Sequence, residues 1–461
     1  MESTKGHEAW SSSTAFLLAA IGAAVGLGNI WRFPYMAGEN GGGAFVLVYL
    51  LCIIVVGVPL LIAEIMIGRR AGQSPINATR SLAEQEGRNP GWQVIGWLAI
   101  ITALLGLTFF TVIAGWTLDY VLKAVSGTFV GIDAARSQGD FDALLADPVR
   151  LTVWHFTFMA ATIFVVARGI RSGLERAVTW IMPALFILVL LLFVYAMVAA
   201  DFGAGLRFLF AVDFTKINSD VVLMAVGQAF FSITVGVGSM MTYGAYMPRD
   251  ASIPRAAILI AVADTGVALL AGVSIFSIVF AYGLDPAGGP GLVYVTLPIA
   301  FGHMPGGTFF GTLFFLLLAA AAFTSSISLL EPIVSWAEEH RGVKRARVAI
   351  WVGGLAGLLG LGIVFSFNIL SDFTPLDMFA AFKNKTLFDL VLYLVLNILL
   401  LVGGALMAVF AGWMMAKESS RDELKMSSRF LYLTWRFLVR YVAPVAIAAV
   451  FLARMFGNAP Q

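Results

Sequence analysis

The chain has 461 residues, 60% hydrophobic and only 12% charged, with a mean hydropathy of +0.90 and a formal net charge of +2. A soluble domain usually carries about a quarter charged residues, so that class is excluded and a polytopic helical membrane protein in a lipid bilayer is indicated. The basic residues are scattered through short connections, which leaves no footprint for nucleic acid, and a single cysteine, Cys52, excludes an internal disulfide or a thiolate cluster.

Runs long enough to span, about 20 residues, recur near 12–37, 42–68, 93–124, 151–169, 175–200, 220–246, 256–283, 309–338, 346–369, 387–415 and 430–454. The first is expected to stay as a span, since no basic-then-apolar leader with a small-residue cleavage site precedes it. Arg69, Arg70, Arg80 and Arg88 follow span 2, and Arg168, Arg171 and Arg176 follow span 4. The same side receives Arg249 and Arg255, then Arg341, Lys344, Arg345 and Arg347, then Lys417, Arg421, Lys425 and Arg429. Alternate loops are poor in bases: 284–308 has none, and 126–149 carries Asp133, Asp140, Asp142 and Asp147. Basic loops stay inside, so a cytoplasmic N-terminus and, with eleven spans, an external C-terminus are expected. The stretch 283–307 is Gly/Pro-rich yet apolar, and is expected to fold back onto the protein rather than stand in solvent.

Two spans are interrupted alike. Span 1 carries "AVGLGN" (24–29) and span 6 carries "TVGVGS" (234–239), each opening a group of five spans. Glycine in a helix interior costs about 1 kcal/mol relative to alanine, and backbone released from the helix cannot face lipid. Close helix packing explains one such motif. Two matched motifs flanked by polar Asn29 and Ser232 point instead to a transporter's binding site at the midplane, where bare carbonyls ligate a cation and half-helix ends attract a carboxylate. No strand precedes the Gly-x-Gly, which excludes a dinucleotide fold. Intramembrane polar residues add to the pattern: Asp264 has no basic neighbour in sequence, Glu64 and Gln228 lie in spans 2 and 6, and span 8 gathers Thr324, Ser325, Ser328 and Glu331. These are hard oxygen donors suited to an alkali cation. No His/Cys/carboxylate spacing suits a transition metal, and no nucleophile–base pair suggests an enzyme.

With "GLGNIWRFPY", "ENGGGAF", "GQAFFS" and "TSSIS" in place, the chain resembles a bacterial neurotransmitter:sodium symporter, an amino-acid transporter with the leucine-transporter fold. The resemblance implies an all-α membrane protein of about eleven helices. These are a cytoplasmic tail (1–11), a first five-helix repeat (12–200), an outer loop (201–219), an inverted second repeat (220–415), and a loop with an eleventh helix (416–461). It implies a multi-pass protein of the bacterial inner membrane, with a homodimer left open. Two sodium ions are implied. The first would take Ala24, Asn29, Ser232 and Asp264 with the substrate's carboxylate; the second would take Gly22, Val25, Ala321, Thr324 and Ser325.

The substrate would sit against Ala23, Ala24, Gly26, Leu27, Gly28, Ser232 and Thr234. Its side chain would lie among Gly106, Phe110, Phe231, Val237, Ser325 and Leu329. Small Gly106 and Val237 suggest large hydrophobic or aromatic L-amino acids. The chloride site of relatives corresponds to Tyr49, Gln228, Ser232 and Asp264, and the Asp264 carboxylate replaces the anion, so chloride independence is expected. For the gates, Arg32 matches the outer arginine, but the expected acid pair reads Leu392-Tyr393, leaving Asp389 as a substitute. Inside, Trp10 and Glu339 would act with His7 or Lys5. Gly173 and Pro183 match a spacing that lets span 5 unwind. The resemblance thus implies a sodium-coupled symporter working by alternating access; a sensor or channel-like protein that keeps the site without coupled transport is the alternative.

Overall fold

Long apolar segments satisfy their own backbone hydrogen bonds only as helices in lipid, and every regular element among the described residues is helical. The structure is a computed structural model and describes residues 9–287, 291–379 and 382–456. Helix α1 (Ser13–Ala24) starts where the Ser12 hydroxyl accepts the Ala15 N–H at 3.1 Å. It stops at Ala24, and α2 (Gly28–Glu39) resumes at 46° to it. Then follow α3 (Gly43–Ala71), α4 (Pro75–Gln85), α5 (Pro90–Val125), α6 (Ala134–Ala146), α7 (Pro148–Ala167), α8 (Ile170–Ala199) and α9 (Phe202–Phe210). The second half holds α10 (Ser219–Ser232), α11 (Ser239–Ala245), α12 (Ile253–Ala281), α13 (Leu292–His303), α14 (Gly307–His340), α15 (Arg345–Phe365), α16 (Leu387–Met414), α17 (Lys417–Leu424) and α18 (Arg429–Ala453).

Among the described residues, 9 continuous helices are long and apolar enough to cross a bilayer, and the bent α1–α2 pair makes up to 10. The sixth expected run, 220–246, is instead two short helices, α10 and α11, separated by non-helical backbone. Span 5 begins at Ile170 rather than 175 because a π-turn over Ile170–Glu175 extends it. Helices α4, α6, α9 and α17 lie outside the expected runs; they are short, and a 20-residue apolar criterion passes over them. The stretch 201–219, expected as a loop, contains α9.

Helices α5 and α14 pack along one another at the centre, and their most apolar windows are 78% and 72% buried. The corresponding windows of α8 and α18 are 28% and 22% buried, so these helices present their side chains outward. Helix α11 lies against α3, an approach made possible at Gly68: a Cβ there would stand 1.8 Å from the Met241 carbonyl oxygen. The expected fold-back of 283–307 is observed in its described part. Leu292, Val293, Tyr294 and Leu297 of α13 are buried, and the Tyr294 hydroxyl pairs with Thr117 Oγ1 of α5 at 2.9 Å.

Candidate functional site

Both interruptions fall at the same place in the molecule. Because α1 ends at Ala24, the carbonyls of its last turn lose their helical donors. Ile21 receives the Val25 N–H at 2.7 Å and Ala23 receives the Thr234 hydroxyl at 3.1 Å, which leaves Gly22 and Ala24. The second break is wider: Thr234, Gly236 and Gly238 all have positive φ, at 54°, 93° and 77°. Thr234 is costly there, since a left-handed conformation penalises a β-branched residue. The break is braced from α3, where Glu64, fully buried, accepts the Gly236 N–H at 3.1 Å through Oε2. Sequence had marked Glu64 only as a polar residue at depth; its bracing role needs the tertiary fold.

A cavity of about 50 Å³ lies between the two breaks. Ala24, Gly26, Leu27, Gly28, Gly106, Phe110, Phe231, Thr234, Val237, Ser325 and Leu329 line it, all expected on the resemblance. Ala23 and Ser232 stand behind this wall: Ala23 is tied to Thr234, and Ser232 faces Asp264. The lining also takes in Thr102, Phe109, Val395, Leu396 and Leu400, which sequence reasoning missed. Thr102 is one helical turn before Gly106 on the same face, a signal that spacing carries. The three α16 residues have no sequence link to the motifs.

Beside the cavity, Asp264 is fully buried and no basic side chain pairs with it among the described residues. Asn29 Nδ2 donates to its Oδ1 at 2.7 Å, and the Ser232 hydroxyl donates to Oδ2 at 2.6 Å. Tyr49 OH donates in turn to Ser232 Oγ at 3.1 Å. The Asn29 carbonyl oxygen accepts the Gly26 N–H at 3.0 Å, so its amide nitrogen, not its oxygen, faces the carboxylate. A buried carboxylate without a cation is expensive, and here two hydrogen-bond donors, Asn29 Nδ2 and Ser232 Oγ, hold it. Gln228 does not join the cluster. It accepts from Arg32 Nη1 at 2.6 Å and donates to the Gly28 carbonyl at 2.9 Å.

On the other side of α1, Thr324 Oγ1 donates to the Ala321 carbonyl at 3.1 Å. Ser325 Oγ is buried and has no hydrogen-bond partner among the described residues. Gly26 gives it room, since a Cβ there would stand 2.4 Å from Ser325 Oγ. Gly22 likewise abuts Thr324, with a Cβ only 3.2 Å from Thr324 Cβ. A buried hydroxyl left without a partner beside the α1–α2 break is what an oxygen-ligated cation would satisfy.

The gates differ from expectation. Asp389 does not pair with Arg32: its carboxylate caps α16, accepting the Thr386 N–H and hydroxyl at 2.9 Å each. Arg32 rests instead on Gln228, its guanidinium carbon 4.9 Å from the centre of the Phe231 ring. Above it opens a vestibule of about 520 Å³, sharing Leu27, Phe109, Phe110, Phe231 and Leu396 with the inner cavity. At the opposite end Trp10 is buried and its indole N–H donates to the Tyr243 carbonyl at 3.2 Å. Glu339 accepts from the Ser74 N–H at 2.7 Å and from Asn77 at 2.7 Å, whereas Lys5 and His7 lie outside the described residues. Glu331 pairs with Arg345 and accepts the Tyr246 hydroxyl, so it belongs to this end rather than to an ion site. Gly173 packs where a Cβ would stand 2.1 Å from the Val165 carbonyl oxygen, and Pro183 sits inside a continuous α8; span 5 is not unwound in this conformation.

Residues 7–131 and 144–461 match the sodium:neurotransmitter symporter family. The chain belongs to that family. This symporter is 37% identical over 446 residues to the sodium-dependent transporter YhdH of Bacillus subtilis (strain 168), covering 96% of each chain. It is 30% identical to a sodium-dependent transporter of Haemophilus influenzae (strain ATCC 51907 / DSM 11121 / KW20 / Rd), covering 98% and 99%. The crystal structure of MhsT in complex with L-phenylalanine superposes with a TM-score of 0.88 at 39% identity, covering 97% of this chain and 100% of that one. The symporter is therefore a sodium-dependent secondary transporter of the membrane and not an enzyme, with the leucine-transporter fold of two inverted repeats.

Proposed function

We propose that the symporter imports hydrophobic or aromatic L-amino acids with two sodium ions, without chloride, across the bacterial inner membrane, its N-terminus cytoplasmic. The observation that carries this reading is the cavity between the two breaks. Its wall is apolar and aromatic (Phe109, Phe110, Phe231, Leu329, Leu400), while oxygen donors gather beside both helix breaks. MhsT, which binds L-phenylalanine in its crystal structure, supports the substrate class.

In this scheme the substrate carboxylate meets the Leu27 and Gly28 amides and shares the first sodium with Asp264, Ser232, Asn29 and Ala24. Sodium and substrate therefore stabilise one another, each raising the other's affinity by the same factor. The second sodium takes the hydroxyls of Ser325 and Thr324 and the carbonyls of Gly22, Val25 and Ala321, linking α1 to α14. The vestibule over Arg32 and the buried Trp10 correspond to an outward-facing state. Alternating access then requires Arg32 and Phe231 to close over the substrate before the Trp10 end opens. Uptake of labelled L-phenylalanine into proteoliposomes, driven by a sodium gradient, tests the reading. Uptake indifferent to sodium removal would refute it.

A further inference from the structure

The cavity wall carries one polar group that neither ion site nor either helix break uses. Thr102 lies on α5 one turn before Gly106, and both line the cavity. Thr102 is fully buried, and its Oγ1 gives its proton to the Leu98 carbonyl at 2.6 Å, which leaves the hydroxyl as an acceptor only. Such back-bonding is the ordinary way a membrane helix accommodates threonine. What distinguishes Thr102 is the opening beside it. A Cβ at Gly106 would meet only Leu329, at 3.8 and 3.9 Å, so the wall is open one turn after Thr102. The other two hydroxyls of the wall are engaged: Thr234 donates to the Ala23 carbonyl, and Ser325 belongs to the proposed second sodium site. The rest of the side-chain wall is apolar.

We infer that Thr102 is a specificity residue that accepts a hydrogen bond from the edge of an aromatic substrate, an indole N–H or a phenol O–H. The inference rests on the aromatic amino-acid reading above. Because Thr102 keeps its bond to Leu98 whatever is bound, a plain phenyl ring leaves no donor stranded. Discrimination is accordingly modest, unlike that of a site whose polar group is otherwise unpaired. One neutral hydrogen bond corresponds to about 2- to 10-fold in affinity.

The test is sodium-driven uptake of labelled L-phenylalanine in proteoliposomes, competed by unlabelled L-tryptophan, L-tyrosine, L-phenylalanine and L-leucine. It compares the wild type with Thr102→Val, Thr102→Ala and Thr102→Ser. Two hydroxyl-free variants are used so that one folded protein suffices, and retained phenylalanine competition reports an intact pocket. The expected result is a rise of about 2- to 10-fold in the half-inhibitory concentration of tryptophan, tyrosine or both. Phenylalanine and leucine shift less than tryptophan or tyrosine, and Thr102→Ser restores the wild-type ratio. Equal shifts for all four competitors, or no shift for tryptophan and tyrosine, overturn the inference while leaving the transport reading intact. A wild-type protein that takes up no phenylalanine and binds neither tryptophan nor tyrosine overturns the aromatic reading itself, and the role of Thr102 with it.

Discussion

Gly26, in the α1–α2 break, faces Ser325 of α14 at a distance that admits no methyl group. Gly26→Ala therefore forces Ser325 Oγ out of its place, and overpacking of this kind typically costs about 1–3 kcal/mol. If that hydroxyl ligates sodium, the half-saturating sodium concentration for uptake rises about tenfold or more, while Ser325→Ala gives a similar loss without the steric cause. Asp264 is the other decisive residue. No cationic side chain pairs with it among the described residues, and three polar groups, Asn29, Ser232 and Tyr49, converge on it directly or through one hydroxyl. Wild-type uptake is expected to be unchanged when gluconate replaces chloride, and Asp264→Asn to become chloride-stimulated. A chloride requirement in the wild type would contradict a fixed carboxylate acting in the anion's place.

At the scale of elements, the two breaks are built differently. The first is short, with α2 resuming at Gly28; the second runs through three positive-φ residues and needs an outside support. Glu64 of α3 provides it at Gly236. Glu64→Ala leaves the Gly236 N–H without its acceptor, a loss of about 1–3 kcal/mol for a buried donor. The variant should unfold at lower temperature in detergent and lose uptake, whereas Glu64→Gln, which keeps an acceptor oxygen, should fall between. An Ala variant as stable and active as wild type would show that the break holds itself. The start of α16 carries a related lesson: Asp389 looks like a free gate acid on sequence, but as the third residue of a capping box it is committed to Thr386.

For the whole molecule, the two ends differ among the described residues. The vestibule reaches Lys385 and Phe388 at one end, while Trp10, packed edge-on against Tyr243, blocks the other. In a Cys52→Ala background, Lys385→Cys should react readily with a membrane-impermeant thiol reagent in sodium, and several-fold more slowly once saturating substrate closes the vestibule. Unaltered labelling would argue against closure at this end. The coupling also has a thermodynamic check. The factor by which sodium tightens substrate binding in calorimetry must equal the factor by which substrate tightens sodium binding.

Sequence alone determined that this is a helical membrane protein with two Gly-interrupted spans and an oxygen-rich midplane. Hydropathy and backbone satisfaction in lipid are local constraints, written within single segments. It also carried most of the cavity wall, because Gly26, Phe231 and Ser325 sit inside motifs whose resemblance transfers residue by residue. The α16 contribution of Val395, Leu396 and Leu400, the brace from Glu64 to Gly236, and the commitment of Asp389 to a cap and of Gln228 to Arg32 were decided only by the tertiary structure. Each depends on which partner lies across the bundle, and a hydrogen-bonding group does not declare in its own segment which of several reachable partners it will take.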